Sequence, residues 1–202
     1  MKKLIIFDLD GVLVDACEWH RLALNKALKK VCDYEISLED HYSTYNGIPT
    51  KVKLNILSDK GIISKDKHTE VYDKKQSMTV DIIKENANIR PEKVEMIKRL
   101  KDAGHIVACY TNSIRLTAEL MLEKTGVLDL LDCLITNQDV EKSKPNPEGY
   151  LFLVDKYNFE KDNVIIIEDS PKGLAAANAS GCQVIKVKDP SEVDISLFKE
   201  IK

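Results

Sequence analysis

Leu4-Ile5-Ile6-Phe7-Asp8-Leu9-Asp10-Gly11 stands near the start of the chain: four apolar residues run straight into two acids and a glycine. A run that is apolar at nearly every position, rather than at alternate ones, reads as a strand covered on both faces, as in a parallel sheet between helices. Four further runs read the same way: 106–110, 133–136, 164–167 and 183–187. Helical stretches separate most of them. The pattern predicts an α/β fold built on a doubly wound, mainly parallel sheet.

Working outward, the helix punctuation is regular. Pro91 starts a helix with Val94, Ile97 and Leu100 on one face and Gly104 as its stop. Ser113 is expected to cap the next, with Leu116, Leu120 and Glu123 following and Gly126 ending it. Asn146-Pro147 and Ser170-Pro171 read as N-cap and first turn of two more. In the last of these Ala175, Ala176, Ala177 and Ala179 are expected to form a small-residue face against the sheet. One region breaks the alternation. Between Asp15 and Ala87 no strand is evident, while 21–31, 52–57 and 71–83 carry helical spacing, with turns at Gly47, Pro49 and Gly61. The expected organisation is a core from residues 1–14 and 88–202 and a small all-helical insert, 15–87, after the first strand.

Composition bounds the function. The 202 residues are 44% hydrophobic and 31% charged, with a net charge of −3, ordinary for a globular protein and without the basic excess that nucleic acid would demand. Five cysteines, an odd number with no Cys-x-x-Cys pair, suggest neither a disulfide framework nor a zinc site, and fit a reducing, cytoplasmic setting. No stretch approaches the roughly 18 consecutive apolar residues of a membrane helix. The expected partner is a small molecule, with no nucleic acid and no membrane, for a monomer or weak homodimer. His41, His68 and His105 have no companions in sequence and are expected at the surface.

In open parallel sheets, ligands bind beyond the carboxyl ends of the strands. There the chain places Asp8 and Asp10, Thr111-Asn112-Ser113, and Glu168-Asp169-Ser170, with Ser143-Lys144-Pro145 in a neighbouring loop. Each piece has a plainer use alone: a turn, a cap, a strand end, an exposed lysine before proline. Their joint occurrence is what points to chemistry. Four carboxylates close together repel unless a cation compensates. An all-oxygen set without His or Cys suits a hard ion such as Mg²⁺. Lys144 and Thr111 then add a cation and a hydroxyl fit for a phosphate.

Phe7-Asp8-Leu9-Asp10-Gly11-Val12-Leu13-Val14-Asp15 resembles the first motif of the haloacid dehalogenase superfamily. Tyr110-Thr111-Asn112, Lys144-Pro145 and Ile167-Glu168-Asp169-Ser170-Pro171-Lys172-Gly173 resemble its second, third and fourth, and the insert sits where that family carries a helical cap. The resemblance implies a Rossmann-like core and a magnesium-dependent phosphatase of small metabolites. Asp8 would be the nucleophile, becoming an aspartyl phosphate, and Asp10 the acid and base. Thr111, Asn112 and Lys144 would hold phosphate. Asp8, Asp169 and the backbone carbonyl of Asp10 would hold the metal, with Glu168 acting through a water or by orienting the site.

The insert would select the substrate, through His20 and Thr50 among others. Glu18-Trp19-His20 is similar to a stretch of β-phosphoglucomutases, which makes a phosphosugar mutase the alternative. Against it, Thr50 replaces the mutase's arginine, Ile114-Arg115 its Lys-Asn, and Ala16 its threonine. A non-catalytic binding module on the same fold would be expected to lose Asp8, Asp10, Lys144 or Asp169, and all are present.

Overall fold

The computed structural model describes residues 2–198. In chain order the main elements are β1 (Leu4–Phe7), α1 (Cys17–Cys32), α2 (Leu38–Asp40), α3 (Thr50–Asp59), α4 (His68–Asn86), α5 (Pro91–Asp102), β2 (Ile106–Tyr110), α6 (Arg115–Thr125), β3 (Cys133–Ile135), α7 (Glu148–Tyr157), β4 (Val164–Glu168), α8 (Pro171–Ser180) and β5 (Gln183–Lys186). The chain divides into two compact units: residues up to Asp15 together with those from Asn88 onward, and Ala16–Ala87.

In the α/β unit the five strands are all parallel, in the order β3-β2-β1-β4-β5. All four residues of β1 are buried, as expected of a central strand with covered faces. Phe7 lies level with Cys109 on one side and Ile167 on the other, so Asp8, Tyr110 and Glu168 all leave the sheet at one edge. The chain builds outward from β1 through β2 to β3, then crosses to β4 and β5. Strand order therefore reverses beside β1, where such sheets open a crevice. The edge strand β5 is only partly covered, unlike the interior strands.

Two helices present different faces from those their sequences suggest. In α6, Leu116 is 61% exposed, and the packed face is Thr117, Ala118, Met121, Leu122 and Thr125. Ser113 does not cap it; the cap position is Ile114, and Ser113 turns its hydroxyl to Asp10. In α8 the packed face is Gly173, Ala176, Ala177 and Ser180, leaving Ala175 and Ala179 exposed. Helical spacing of three and four selects that set, which a count of alanines misses. Ser170 does cap α8, accepting from the Gly173 N–H at 3.0 Å. Asn146 Oδ1 accepts from Glu148 N–H at 3.0 Å at the head of α7, which begins one residue later than its sequence suggests.

The Ala16–Ala87 unit is wholly helical. Helices α1 and α4 pack along each other, and Leu24, Leu28, Tyr45, Leu54, Leu57 and Val71 share its core. Buried Asn25 exchanges two hydrogen bonds with the backbone of Ile36, tying the following loop to α1. Ser37 caps α2, which runs into a single π-helical turn, His41–Tyr45. Residues 38–45 are too polar for apolar periodicity to reveal them as helical.

The surface assignment of the histidines fails for two of three. His105 is buried and accepts the Lys3 N–H. His68 pairs with Ser58 Oγ at 2.5 Å. His41 is 1% exposed, and neither ring nitrogen has a partner. Burial, followed by the cations Lys53 and Arg21, brings its pKa down to about 4, with Glu18 opposing and His20 adding slightly.

The unfolded chain protonates His41 near pH 6.5 and the folded one only near 4. Its contribution to stability is therefore complete above 6.5 and lost as pH falls through 4, an effect on the order of 2 kcal/mol. Denaturant unfolding of the native protein and of His41→Leu between pH 7.5 and 4.5 checks this. The native protein should lose stability more steeply than the variant across that window.

Candidate active site

The candidate side chains sit where β1, β2 and β4 stop, joined by Lys144 from the loop after β3. Asp8 follows β1 and continues its ladder, its N–H bonding Ile167 O at 3.0 Å. The chain then folds tightly: the N–H groups of Val12, Leu13 and Val14 all reach Leu9 O. Gly11 makes this turn at φ +90°, and a Cβ there would lie 2.3 Å from Asp169 Oδ2. Only glycine allows both the backbone angle and the approach. Asp10 Oδ2 accepts from Ser113 Oγ at 2.8 Å and from Thr111 Oγ1 at 3.3 Å, so two hydroxyls from the end of β2 orient its carboxyl.

Lys144 is the hub. Its ammonium is buried and donates to Asp8 Oδ1 at 2.8 Å, Tyr110 O at 2.8 Å and Glu168 Oε1 at 2.5 Å, which uses all three of its protons. The rings of Tyr110 and Tyr150 flank it, their centroids 4.7 and 5.1 Å from Nζ. The Asn112 carboxamide clamps its backbone, accepting from Lys144 N and donating to Lys144 O, each at 3.1 Å. The exposure usual for a lysine before proline is thus overridden by its two carboxylate partners.

Glu168 is fully buried and spoken for at both oxygens. Oε1 accepts from Lys144 and from Tyr150 OH at 2.9 Å; Oε2 accepts from Asp169 N, Ser170 N and Ser170 Oγ. Asp169 differs: its Oδ1 is buried with no partner. Burial, then Glu168, pushes the Asp169 carboxyl up to about 7. Burial, again followed by Glu168, raises Asp8 well above the usual carboxylate range, with Lys144 opposing. Burial would lower Lys144, but Asp8 and Glu168 outweigh it and raise its pKa.

Three carboxylates whose oxygens lie within 4.8 Å of one another therefore face one ammonium. If all ionise, two negative charges remain uncompensated, which a divalent cation would balance. Hard oxygen donors and the unpartnered Asp169 Oδ1 fit Mg²⁺. Asp8 and Asp169 are the ligands with capacity to spare, since both oxygens of Glu168 already accept from protein donors.

Of the residues singled out in the sequence, the α/β unit brings together Asp8, Asp10, Thr111, Lys144, Glu168 and Asp169, while the Asn112 side chain supports Lys144. His20 and Thr50 belong to the helical unit. There His20 Nδ1 lies 3.2 Å from Lys75 Nζ, and Thr50 opens α3. Sequence reasoning set Ser113 and Tyr110 beside the site without seeing what they do there, and missed Tyr150 altogether. It also missed why Gly173 stands in the first turn of α8: a Cβ there would fall 1.8 Å from Glu168 Oε1. A glycine inside a helix is itself a signal of close approach.

Comparison with known proteins places residues 5–187 in the family described as haloacid dehalogenase-like hydrolase. A validoxylamine A 7'-phosphate phosphatase of Streptomyces hygroscopicus subsp. limoneus is 29% identical over 186 residues, covering 90% of this chain and 83% of the relative. A phosphorylated carbohydrates phosphatase of Thermotoga maritima is 27% identical over 187 residues, covering 90% and 82%. Among solved structures, β-phosphoglucomutase of Clostridium difficile superposes with a TM-score of 0.84 at 23% identity, over 99% of this chain and 96% of that one.

The close approach at α8 has a measurable cost. Gly173→Ala should destabilise the protein by about 3 kcal/mol in denaturant unfolding, because the methyl group displaces the fully buried Glu168 carboxylate.

Proposed function

The chain belongs to the haloacid dehalogenase-like hydrolase family, and from that premise we propose that it is a magnesium-dependent phosphatase of small phosphorylated metabolites, working through a phosphorylated Asp8. The observation that carries the reading is the Lys144 ammonium bridging Asp8 and Glu168 beside the unpartnered Asp169 Oδ1.

Thr111 holds the substrate's phosphoryl oxygens, and the charge of Lys144 beside Asp8 attracts them before one of its N–H groups is handed over. Asp8 attacks phosphorus, the bond to the ester oxygen breaks, and Asp10 gives that oxygen its proton. Water then attacks the aspartyl phosphate. Asp10 takes the water's proton, inorganic phosphate leaves, and Asp8 is restored. Bound Mg²⁺, held by Asp8, Asp169 and the backbone carbonyl of Asp10, supplies charge neutralisation at the phosphoryl oxygens. Two hydroxyls on a single Asp10 oxygen keep its carboxyl aimed through both half-reactions.

The use of all three Lys144 protons has a consequence for the intermediate. Phosphorylation removes the charge of Asp8 and brings new anionic oxygens beside it. The N–H directed at Asp8 Oδ1 then passes to a phosphoryl oxygen, while Tyr110 O and Glu168 hold the ammonium in place. Lys144 thereby restrains Asp8 before the transfer and stabilises the phosphoryl group after it.

The helical unit, residues 15–87, acts as the cap that selects the substrate, with His20 and Thr50 as contacts. The named activities of the two relatives, on validoxylamine A 7'-phosphate and on phosphorylated carbohydrates, support a phosphorylated carbohydrate as substrate. A mutase needs a second phosphate grip, and Arg115, which follows the Ile114 that stands in place of the lysine, is bound to Glu119 and Asp139. That supports hydrolysis over isomerisation. All five cysteines are free, in keeping with a reducing, cytoplasmic setting. Among the described residues no helix is long and apolar enough to cross a membrane.

Asp8→Asn should reduce turnover at least about a thousandfold with little change in melting temperature, because it removes the attacking charge while keeping shape. Substantial turnover by the purified variant would refute the nucleophile.

Activity should vanish with a chelator and return with Mg²⁺. Ca²⁺, with its larger and looser oxygen shell, should inhibit. Magnesium indifference with zinc dependence would contradict the metal assignment.

With β-glucose 1-phosphate, inorganic phosphate should appear whether or not the 1,6-bisphosphate is added. Bisphosphate-dependent glucose 6-phosphate without net phosphate release would instead identify a mutase.

A further inference from the structure

Tyr150 lies in the first turn of α7, beside a glycine, and is fully buried. Its ring meets Tyr110 edge-on, centroids 4.9 Å apart at 85°, and the two rings enclose the Lys144 ammonium. Gly149 makes that packing possible, since a Cβ there would lie 2.4 Å from Tyr110 Cζ. For packing alone a phenylalanine would serve, because a buried hydroxyl is costly unless bonded. The Tyr150 hydroxyl is bonded, to the carboxylate that anchors the lysine.

That carboxylate does not need the hydroxyl to be satisfied. Without it, Glu168 still accepts from Lys144 at one oxygen and from two N–H groups and a hydroxyl at the other. The bond instead affects the balance on Lys144, which is 2.5 Å from Glu168 Oε1 and 2.8 Å from Asp8 Oδ1. A neutral donor on Oε1 draws off part of the charge that the ammonium sees there. It also fixes where that oxygen sits. Tyr110 is a contrast, as its own hydroxyl is buried without a partner and only its ring and carbonyl serve Lys144.

We propose that Tyr150 is a positioning residue for phosphoryl transfer: its hydroxyl shares Glu168 Oε1 with Lys144, fixes that oxygen, and so keeps the ammonium from moving further toward Glu168 and out of reach of Asp8. The proposal rests on the phosphatase reading of the site. Charge develops on the phosphoryl oxygens beside Asp8, so an ammonium displaced toward Glu168 stabilises the transition state less while substrate binding changes little. Small displacements of such groups have large effects on rate.

Tyr150→Phe keeps the ring and both ring–ammonium contacts and removes only the hydroxyl. We expect kcat to fall about tenfold with KM changed less than about twofold. Inhibition by orthovanadate, which mimics the five-coordinate phosphoryl group, should weaken by the same factor as kcat, while inhibition by inorganic phosphate should not. The melting temperature should move by less than about 5 °C. A kcat within twofold of the native value would overturn the proposal. So would a fall in kcat with unchanged vanadate inhibition, because that separates the loss from the transition state. Native protein inactive towards all phosphate esters would overturn the phosphatase reading itself, and this proposal with it. Active native protein with an unaffected variant would overturn only the role of Tyr150.

Discussion

The buried ammonium of Lys144, held between Asp8 and Glu168, is the contact on which the rest of the α/β unit depends. It joins residues 136 and 24 positions away in sequence and ties the ends of β1 and β4 to the loop after β3. Two carboxylates brought this close and this deep would repel and would resist ionisation. One cation between them lets the central strands end side by side in acids. The carboxylates that remain without a counter-charge, Asp169 among them, are what a divalent ion would balance. Fold and chemistry therefore share one electrostatic problem, which the lysine solves only in part.

Much of this was legible in the residues. The largely apolar runs marked all five strands to within a residue at their ends, because the interior strands are covered on both faces and even the half-covered β5 keeps Val184 and Ile185. Asp8, Asp10, Thr111, Lys144 and Asp169 were legible because reactive groups in open sheets gather beyond strand ends. The supporting partners were not. Ser113 looked like a helix cap since a serine before a helix usually is one, and nothing local shows that it faces Asp10. Nothing in the sequence singles out Tyr150, because the oxygen that its hydroxyl seeks lies 18 residues further on. Nor does spacing reveal that both Glu168 oxygens are already taken.

The helical unit was harder to read, for a related reason. Its apolar spacing showed α1, α3 and α4, yet the polar stretch 38–45 folds as helix and π-turn because Ser37 caps it and Tyr45 buries itself in the core. His41 is the sharpest case. A solitary histidine in a run of polar residues suggests solvent, whereas the fold encloses it among cations and keeps it neutral. Burial of a polar ring is a property of the packed unit, and no neighbour in sequence announces it.

The interrupted layout of the α/β unit bears on how the chain is made. β1 leaves the ribosome before the other strands, and its ladder partners begin only at Ile106 and Val164. The helical unit between them is continuous in sequence and draws its core from nearby residues, so it can take shape while β1 still lacks both neighbours. Throughout that interval a fully apolar strand and the carboxylate that follows it are exposed without sheet or counter-ion. Asp8 is thus the first of the candidate site residues to be synthesised and Asp169 the last, so the candidate site closes only after β4 has emerged. A nascent chain stalled before β4 would carry a folded helical unit and no working site.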